Sequence, residues 1–157
     1  MIKKILIVII FSCFISNCGF TPTLKTNDDS QLSSVVFYQI ESGSYLVKQT
    51  FRSLFKNTDK NKADFIASIN ISESESAVNI LSNGSVSEYK VQVLIQYKLV
   101  YAHSNELIQE SLARGFANYD VSNSEYSNNL VKIEAIKTAT NEAAQLMNNI
   151  IKGKINK

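Results

Sequence analysis

Tryptophan is absent from this chain of 157 residues, proline and histidine occur once each, and cysteine occurs twice. Both cysteines, Cys13 and Cys18, fall within the first 18 residues, so the rest of the chain has none for a disulfide framework or a thiolate metal site. With His103 the sole histidine, a zinc cluster lacks its ligands. Glycine is sparse, and no phosphate-cradling loop is present. These absences argue against an enzyme, a metal protein or a cofactor protein. What is present is apolar: 45% of residues are hydrophobic, which excludes a disordered chain. The length fits one domain, for which roughly 100–200 residues is usual.

The first residues read as an address. Met1-Ile2-Lys3-Lys4 is a short basic start, and Ile5 to Ile15 is an almost unbroken apolar run. That run is too short for a membrane-spanning helix, which needs about 20 apolar residues, and suits the apolar part of a signal peptide. Ile15-Ser16-Asn17-Cys18 then resembles a bacterial lipobox, whose Cys is acylated and becomes the first mature residue. Asn17 departs from the Gly, Ala or Ser expected before that Cys. Two alternatives stand beside it: Cys18 as an ordinary residue near an uncleaved anchor, and Cys13 as the acceptor, which would cut the apolar run short. A single acyl chain anchors only marginally. A diacylglyceryl group on sulfur and an acyl group on the amine of Cys18 meet the need for two or more.

Removing residues 1–17 takes away Lys3 and Lys4 and no acid, leaving 14 basic and 14 acidic side chains. Neutrality gives no support for nucleic acid as a partner. Residues 18–31, with the only Pro and the polar stretch Lys25–Gln31, read as a lipidated Cys and a tether. Residues 32–157 then form one α+β domain in the order βαβββα, an antiparallel-rich four-stranded sheet with two helices on one face. Leu32–Ile40 is the first strand. Ser44 caps a helix from Tyr45 to about Asn57, with Val47, Phe51, Leu54 and Phe55 on one side. Ala63–Ile71 begins the second strand. In the third, Glu88 to Tyr101 alternates so that seven of seven positions on one face are apolar and five of seven on the other are polar, the pattern of a half-buried strand.

Asn83-Gly84 predicts a two-residue type I′ turn before that strand. Such a turn pairs Val78 with Tyr89 and puts even-numbered residues of strand two in the core, whereas Phe65, Ile69 and Ile71 are odd. One residue of slip is therefore expected, at a bulge or break in Glu73–Ser76. A turn near Ser104-Asn105 opens strand four, about Glu106–Asn118, of unclear register. A long helix follows to about Lys152, with Leu130, Ile133, Ile136, Ala139, Ala143, Leu146, Met147 and Ile150 at helical spacing.

Candidate chemistry is thin. His103 beside Ser104 reads as a surface residue at a turn rather than part of a Ser-His-Asp arrangement. Glu73 and Glu75 read as a solvated acidic edge, and Tyr89, Tyr97 and Tyr101 as core packing rather than a stacking platform for bases.

The order of elements and three short motifs resemble the lipopolysaccharide-assembly lipoprotein family LptE, in its alphaproteobacterial branch. The motifs are Cys18-Gly-Phe-Thr-Pro22 at the mature start, Gly84-Ser-Val-Ser-Glu-Tyr89-Lys90 at a strand start, and Tyr119-Asp120-Val-Ser122-Asn-Ser124 before the last helix. The resemblance implies a non-catalytic protein, lipid-anchored at the periplasmic face of the outer membrane. It would plug and help assemble the β-barrel LptD and bind lipopolysaccharide during delivery to the outer leaflet. Cations for lipid A phosphates are then needed, and Lys90 on strand three and Arg114 on strand four are the candidates. The other readings are an accessory lipoprotein of an envelope lipid-transport ABC system, which would show an open apolar groove, and a small hydrolase built on His103.

Overall fold

The structure, a computed structural model, describes residues 35–55 and 59–156. The elements are β1 (Val36–Ser42), α1 (Tyr45–Leu54), a 3-10 turn (Lys60–Lys62), β2 (Phe65–Ile80), β3 (Val86–Tyr101), β4 (Leu107–Asp120) and α2 (Glu125–Ile155). The strands form one sheet in the order β1-β2-β3-β4. β1 runs parallel to β2 through the α1 crossover, and the other two pairs are antiparallel. This is the expected α+β architecture in the expected order, βαβββα. The expected leader, Cys13, Cys18 and the whole of the tether lie outside the described residues.

Both helices cover the same face of the sheet. Val47 and Phe51 of α1 and Ile136, Ala143, Met147 and Ile151 of α2 share one core with Val36, Tyr38, Ala67, Ile69 and Ile71 and the odd-numbered residues Val91 to Leu99. Ser44 caps α1 as expected, its hydroxyl accepting from the Val47 N–H, and Ser124 caps α2 through the Ser127 N–H. Tyr38, Phe51 and Phe55 form an aromatic group with ring centroids 5.0 to 6.0 Å apart. The Tyr38 hydroxyl donates to Asn148 Oδ1 at 3.1 Å, which ties β1 to α2 inside the core.

The β2–β3 turn differs from the expected one, and the difference removes the slip. Leu81 N–H donates to Ser85 O and Gly84 N–H to Leu81 O, so residues 82–84 form a three-residue loop. Gly84 has φ +83°, whereas Asn83 is not at positive φ, as a type I′ turn would require. Asn83 Oδ1 instead accepts from the Ser85 N–H at 3.0 Å and receives the Ser85 hydroxyl at 2.7 Å. The extra loop residue makes partners share parity: Ala77 faces Tyr89, Ile71 faces Ile95 and Phe65 faces Tyr101. Odd-numbered residues of β2 therefore meet the core directly. Glu73–Ser76 is continuous strand paired with Val93 to Lys90, not a bulge or break. The one local irregularity lies around Asn79 and leaves the register on either side unchanged.

β4 also inverts the usual pattern. Its helix-facing positions are Ala113, Gly115, Ala117 and Tyr119, while Leu112 and Phe116 point to the open side at 41% and 39% exposure. A Cβ on Gly115 would lie 2.0 Å from Ala139 O and 2.6 Å from Ala143 N, so the α2 backbone rests directly on the β4 backbone. Small residues on both sides permit that approach. α2 buries Ile136, Ala139, Ala143 and Met147 of the stripe expected for it, together with Ala135 and Ala144, whereas Leu130, Ile133 and Leu146 of that stripe are exposed.

Gly115→Ala is expected to destabilise the fold by about 3 kcal/mol or more, because backbone rather than a mobile side chain must move. Gly84→Ala meets open space and is expected to cost only about 1–2 kcal/mol, from the left-handed backbone alone. Urea unfolding of the two variants checks the difference.

Candidate functional site

The face of the sheet opposite the helices has no element over it among the described residues. Its two halves differ. On β2 the outward positions are Ser68, Asn70, Ser72, Ser74 and Ser76, a row of small polar side chains. On β3 and β4 they are Lys90, Gln92, Leu94, Gln96 and Lys98, facing Asn118, Phe116, Arg114, Leu112 and Glu110 in turn. Cations and large apolar groups alternate here on one surface.

Both cations expected as ligand contacts lie on this surface. Lys90 Nζ sits 4.3 Å from the centroid of the Phe116 ring, a cation–π contact. Arg114 is exposed, two residues from Phe116 along β4 and directly across from Leu94. Among the described residues neither is in an ion pair. The acids nearby are engaged: Glu88 accepts from Asn118 Nδ2 at 2.8 Å, and Glu110 lies 3.6 Å from Lys98 Nζ. Phe116 thus stands between two cations that lack an acid, an arrangement suited to an amphiphile carrying both anionic and apolar parts. Cys18, expected to carry the lipid, lies outside the described residues.

The helix-covered face holds a polar group that sequence patterning does not reveal. Glu75 accepts from both the Tyr119 hydroxyl and Lys132 Nζ, joining β2, β4 and α2. Burial alone would raise the Glu75 pKa; the hydrogen bonds from Lys132 and Tyr119 and the charge of Lys132 outweigh it and hold the carboxyl below its ordinary 4.5. Burial, then the bond and charge of Glu75, push the Tyr119 phenol upward. Glu73 sits over the start of α1 and accepts from the Ser44 hydroxyl at 3.2 Å. Both acids are exposed, as expected of an acidic edge, and each also has a partner at a helix, Ser44 for Glu73 and Lys132 for Glu75.

His103 lies exposed in the turn after β3, within the loop that Tyr101 and Glu106 close. Of the three tyrosines, Tyr97 is buried, Tyr89 stacks on Tyr119 at 5.6 Å and Tyr101 packs on Phe65 at 5.5 Å, all on the helix-facing side rather than a platform for bases. Among the described residues no group of three or more His, Cys, Asp or Glu could hold a metal ion, and no helix is long and apolar enough to cross a membrane.

A groove of about 600 Å³ runs between the outer edge of β4, from Phe116 to Asp120, and Leu130, Val131, Glu134, Ala135 and Thr138 of α2. At the Phe116 end α2 also ties the strand edge: Glu142 Oε2 accepts the Phe116 N–H at 2.6 Å, satisfying one of the backbone groups that an edge strand would otherwise expose.

Neither a family model nor a curated protein matches the sequence. Solved structures do share the fold. A lipoprotein of Caulobacter crescentus CB15 superposes with a TM-score of 0.55 at 16% identity, covering 76% of this chain and 88% of that one. The minor lipoprotein of Acinetobacter baumannii gives 0.56 at 8% identity over 73% and 87%. Lipoprotein B of Nitrosomonas europaea gives 0.50 at 18% identity over 72% and 79%. The fold described here is thus one found among bacterial lipoproteins.

The Glu75 group yields a pH dependence. A carboxyl whose folded pKa is lowered contributes stability above its unfolded value, and that contribution is lost as pH falls through the folded value. The melting temperature of the native sequence is expected to fall below about pH 4.5 more steeply than that of Glu75→Gln. Tyr119→Phe at neutral pH is expected to cost about 1 kcal/mol, since the bond it removes ends on a charged, partly exposed carboxylate. Thermal melts followed by circular dichroism across pH check both.

Proposed function

We propose that this chain is a lipoprotein of the bacterial envelope, acylated at Cys18 and held at the periplasmic face of the outer membrane. There it plugs and helps assemble the LptD β-barrel and contacts lipopolysaccharide on its way to the outer leaflet. The observation that carries this reading is the open sheet face, where Lys90 and Arg114 flank Phe116 with no acid paired to either. Phosphates of a lipid A headgroup call for cations of this kind, and the adjoining Leu94, Leu112 and Phe116 offer contact to acyl chains. The fold shared with bacterial lipoproteins and the lipobox-like Ile15–Cys18 support the anchored state. With two acyl chains or more the anchor is stable, and it keeps the domain beside a membrane partner at high effective concentration. No catalytic step belongs to this role.

A second reading, an accessory lipoprotein of an envelope lipid-transport ABC system, draws on the groove along β4. That groove is less suited to an acyl chain than the reading requires, because Asn118, Asp120, Glu134 and Thr138 line it together with its apolar residues.

Two outcomes are expected. Lys90→Ala/Arg114→Ala lowers the lipopolysaccharide retained by the purified protein about tenfold or more, while stability shifts by less than about 0.5 kcal/mol because both residues are on the open face. Retention equal to that of the native sequence contradicts the assignment of this face. Cys18→Ser abolishes metabolic labelling with palmitate and releases the protein from the membrane fraction, whereas labelling that survives in Cys18→Ser contradicts the anchor.

A further inference from the structure

The β2–β3 ribbon runs past both of its neighbours. β1 accompanies β2 only as far as Asn70, and β4 accompanies β3 only from Glu88 onward, so the ribbon's end stands free. From Ser76 to Ser87, twelve residues carry no charged side chain, in a chain that is 19% charged. Three large aliphatic side chains are exposed there: Val78 at 51%, Ile80 at 61% and Leu81 at 48%. The loop closes its own backbone, with the N–H groups of Leu81, Gly84 and Ser85 all bonded within the turn.

We propose that this hairpin tip inserts its aliphatic side chains into the hydrocarbon of a phospholipid surface. Three features favour lipid over a protein partner. Protein contacts are anchored by Trp, Tyr and Arg, and Leu and Val are under-represented among their hot spots; the tip has only aliphatics. Ile, Leu and Val are the residues hydrocarbon accepts, and residues 76–87 carry no charge that would have to enter with them; the nearest acids, Glu88 and Asp120, stand behind the turn. Backbone groups entering hydrocarbon need internal partners, and the N–H groups of Leu81, Gly84 and Ser85 have them. The open edges of the ribbon behind the turn limit entry to the side chains of the tip itself. Behind the aliphatics come the facing acids Glu88 and Asp120, then the Tyr89–Tyr119 stack and then Lys90 and Lys132, so the charged and aromatic groups follow the tip at the depth of the headgroups rather than enter with it.

The tip lies at the far end of β2 from Phe65, beside which Val36 begins β1. Sixteen residues at about 3.3 Å each place the two ends about 50 Å apart. The inserting end is therefore distinct from the end at which the N-terminal segment joins, and the proposal rests on the tip alone, apart from any barrel partner.

The core lies within residues 36–151, so the test uses the chain from residue 18 onward with Cys18→Ser. Flotation with phosphatidylcholine vesicles, alone and mixed with phosphatidylglycerol, reads the binding. The expected result is flotation on both, little changed by high salt, and reduced about tenfold or more by Ile80→Asp/Leu81→Asp and by the milder Ile80→Ser/Leu81→Ser with unchanged melting temperature. An environment-sensitive fluorophore on Leu81→Cys should shift to the blue with vesicles, and one on Ser104→Cys at the other end of β3 should not. Equal flotation of the variants, a Leu81→Cys label that stays in water, or binding confined to anionic vesicles and lost in high salt overturns the proposal. So does self-association in sedimentation that Ile80→Asp/Leu81→Asp abolishes while no form floats.

Discussion

The contact on which the structure depends is the meeting of two backbones, that of α2 at Ala139 and Ala143 and that of β4 at Gly115. A side chain at residue 115 has no room, so the helix is set at a fixed height over the sheet, and neighbouring positions must be small as well. Ala113 and Ala117 on the strand and Ala135, Ala139, Ala143 and Ala144 on the helix satisfy that demand. Burial of large groups is then left to the rest of the core, with Val91, Val93, Ile95, Tyr97 and Leu99 of β3 beside Tyr38, Ile69 and Ile71 of β1 and β2. Polar ties fix α2 along its length: Lys132 to Glu75 near its start, Glu142 to the β4 backbone in its middle, and Asn148 to Tyr38 toward its end.

This constraint shapes the surface as well as the core. Because the inner face of β4 takes only small residues, its large apolar side chains, Leu112 and Phe116, are on the outer face. There they join Leu94, Lys90 and Arg114 in a surface that is both apolar and cationic, the chemistry proposed for contact with an anionic amphiphile. The polar half of the same face, from Ser68 to Ser76, has neither property, which confines that contact to β3 and β4.

Much of this was legible in the sequence where a residue's role depends on its near neighbours. Period-two alternation revealed β3, the Ser44 hydroxyl revealed the start of α1, and Lys90 stood out as a charge on an outward position of β3, whereas the weak alternation of β4 left the side of Arg114 unread. Where the sequence misled, size had replaced hydrophobicity as the criterion for burial. In β4 the large residues face out and the small ones in, so its alternation reads backwards, and Phe116 between Lys90 and Arg114 was missed. In α2 the expected stripe includes the buried Ile136, Ala139, Ala143 and Met147, but it also takes in Leu130, Ile133 and Leu146, which are exposed, and omits the buried Ala135 and Ala144. Asn83-Gly84 signalled a turn but not its length, and one extra loop residue reversed the parity of β2. The Glu75 group was out of reach for another reason: its members are 44 and 57 residues apart, and no local pattern joins them.

The account stands most directly on the partner of this domain. The measurement is affinity purification of the tagged full chain from detergent-extracted membranes, with mass spectrometry of what comes with it. The account predicts one large outer-membrane β-barrel in a ratio near one to one. Recovery of inner-membrane ATPase components without a barrel would contradict it and point to the lipid-transport accessory instead.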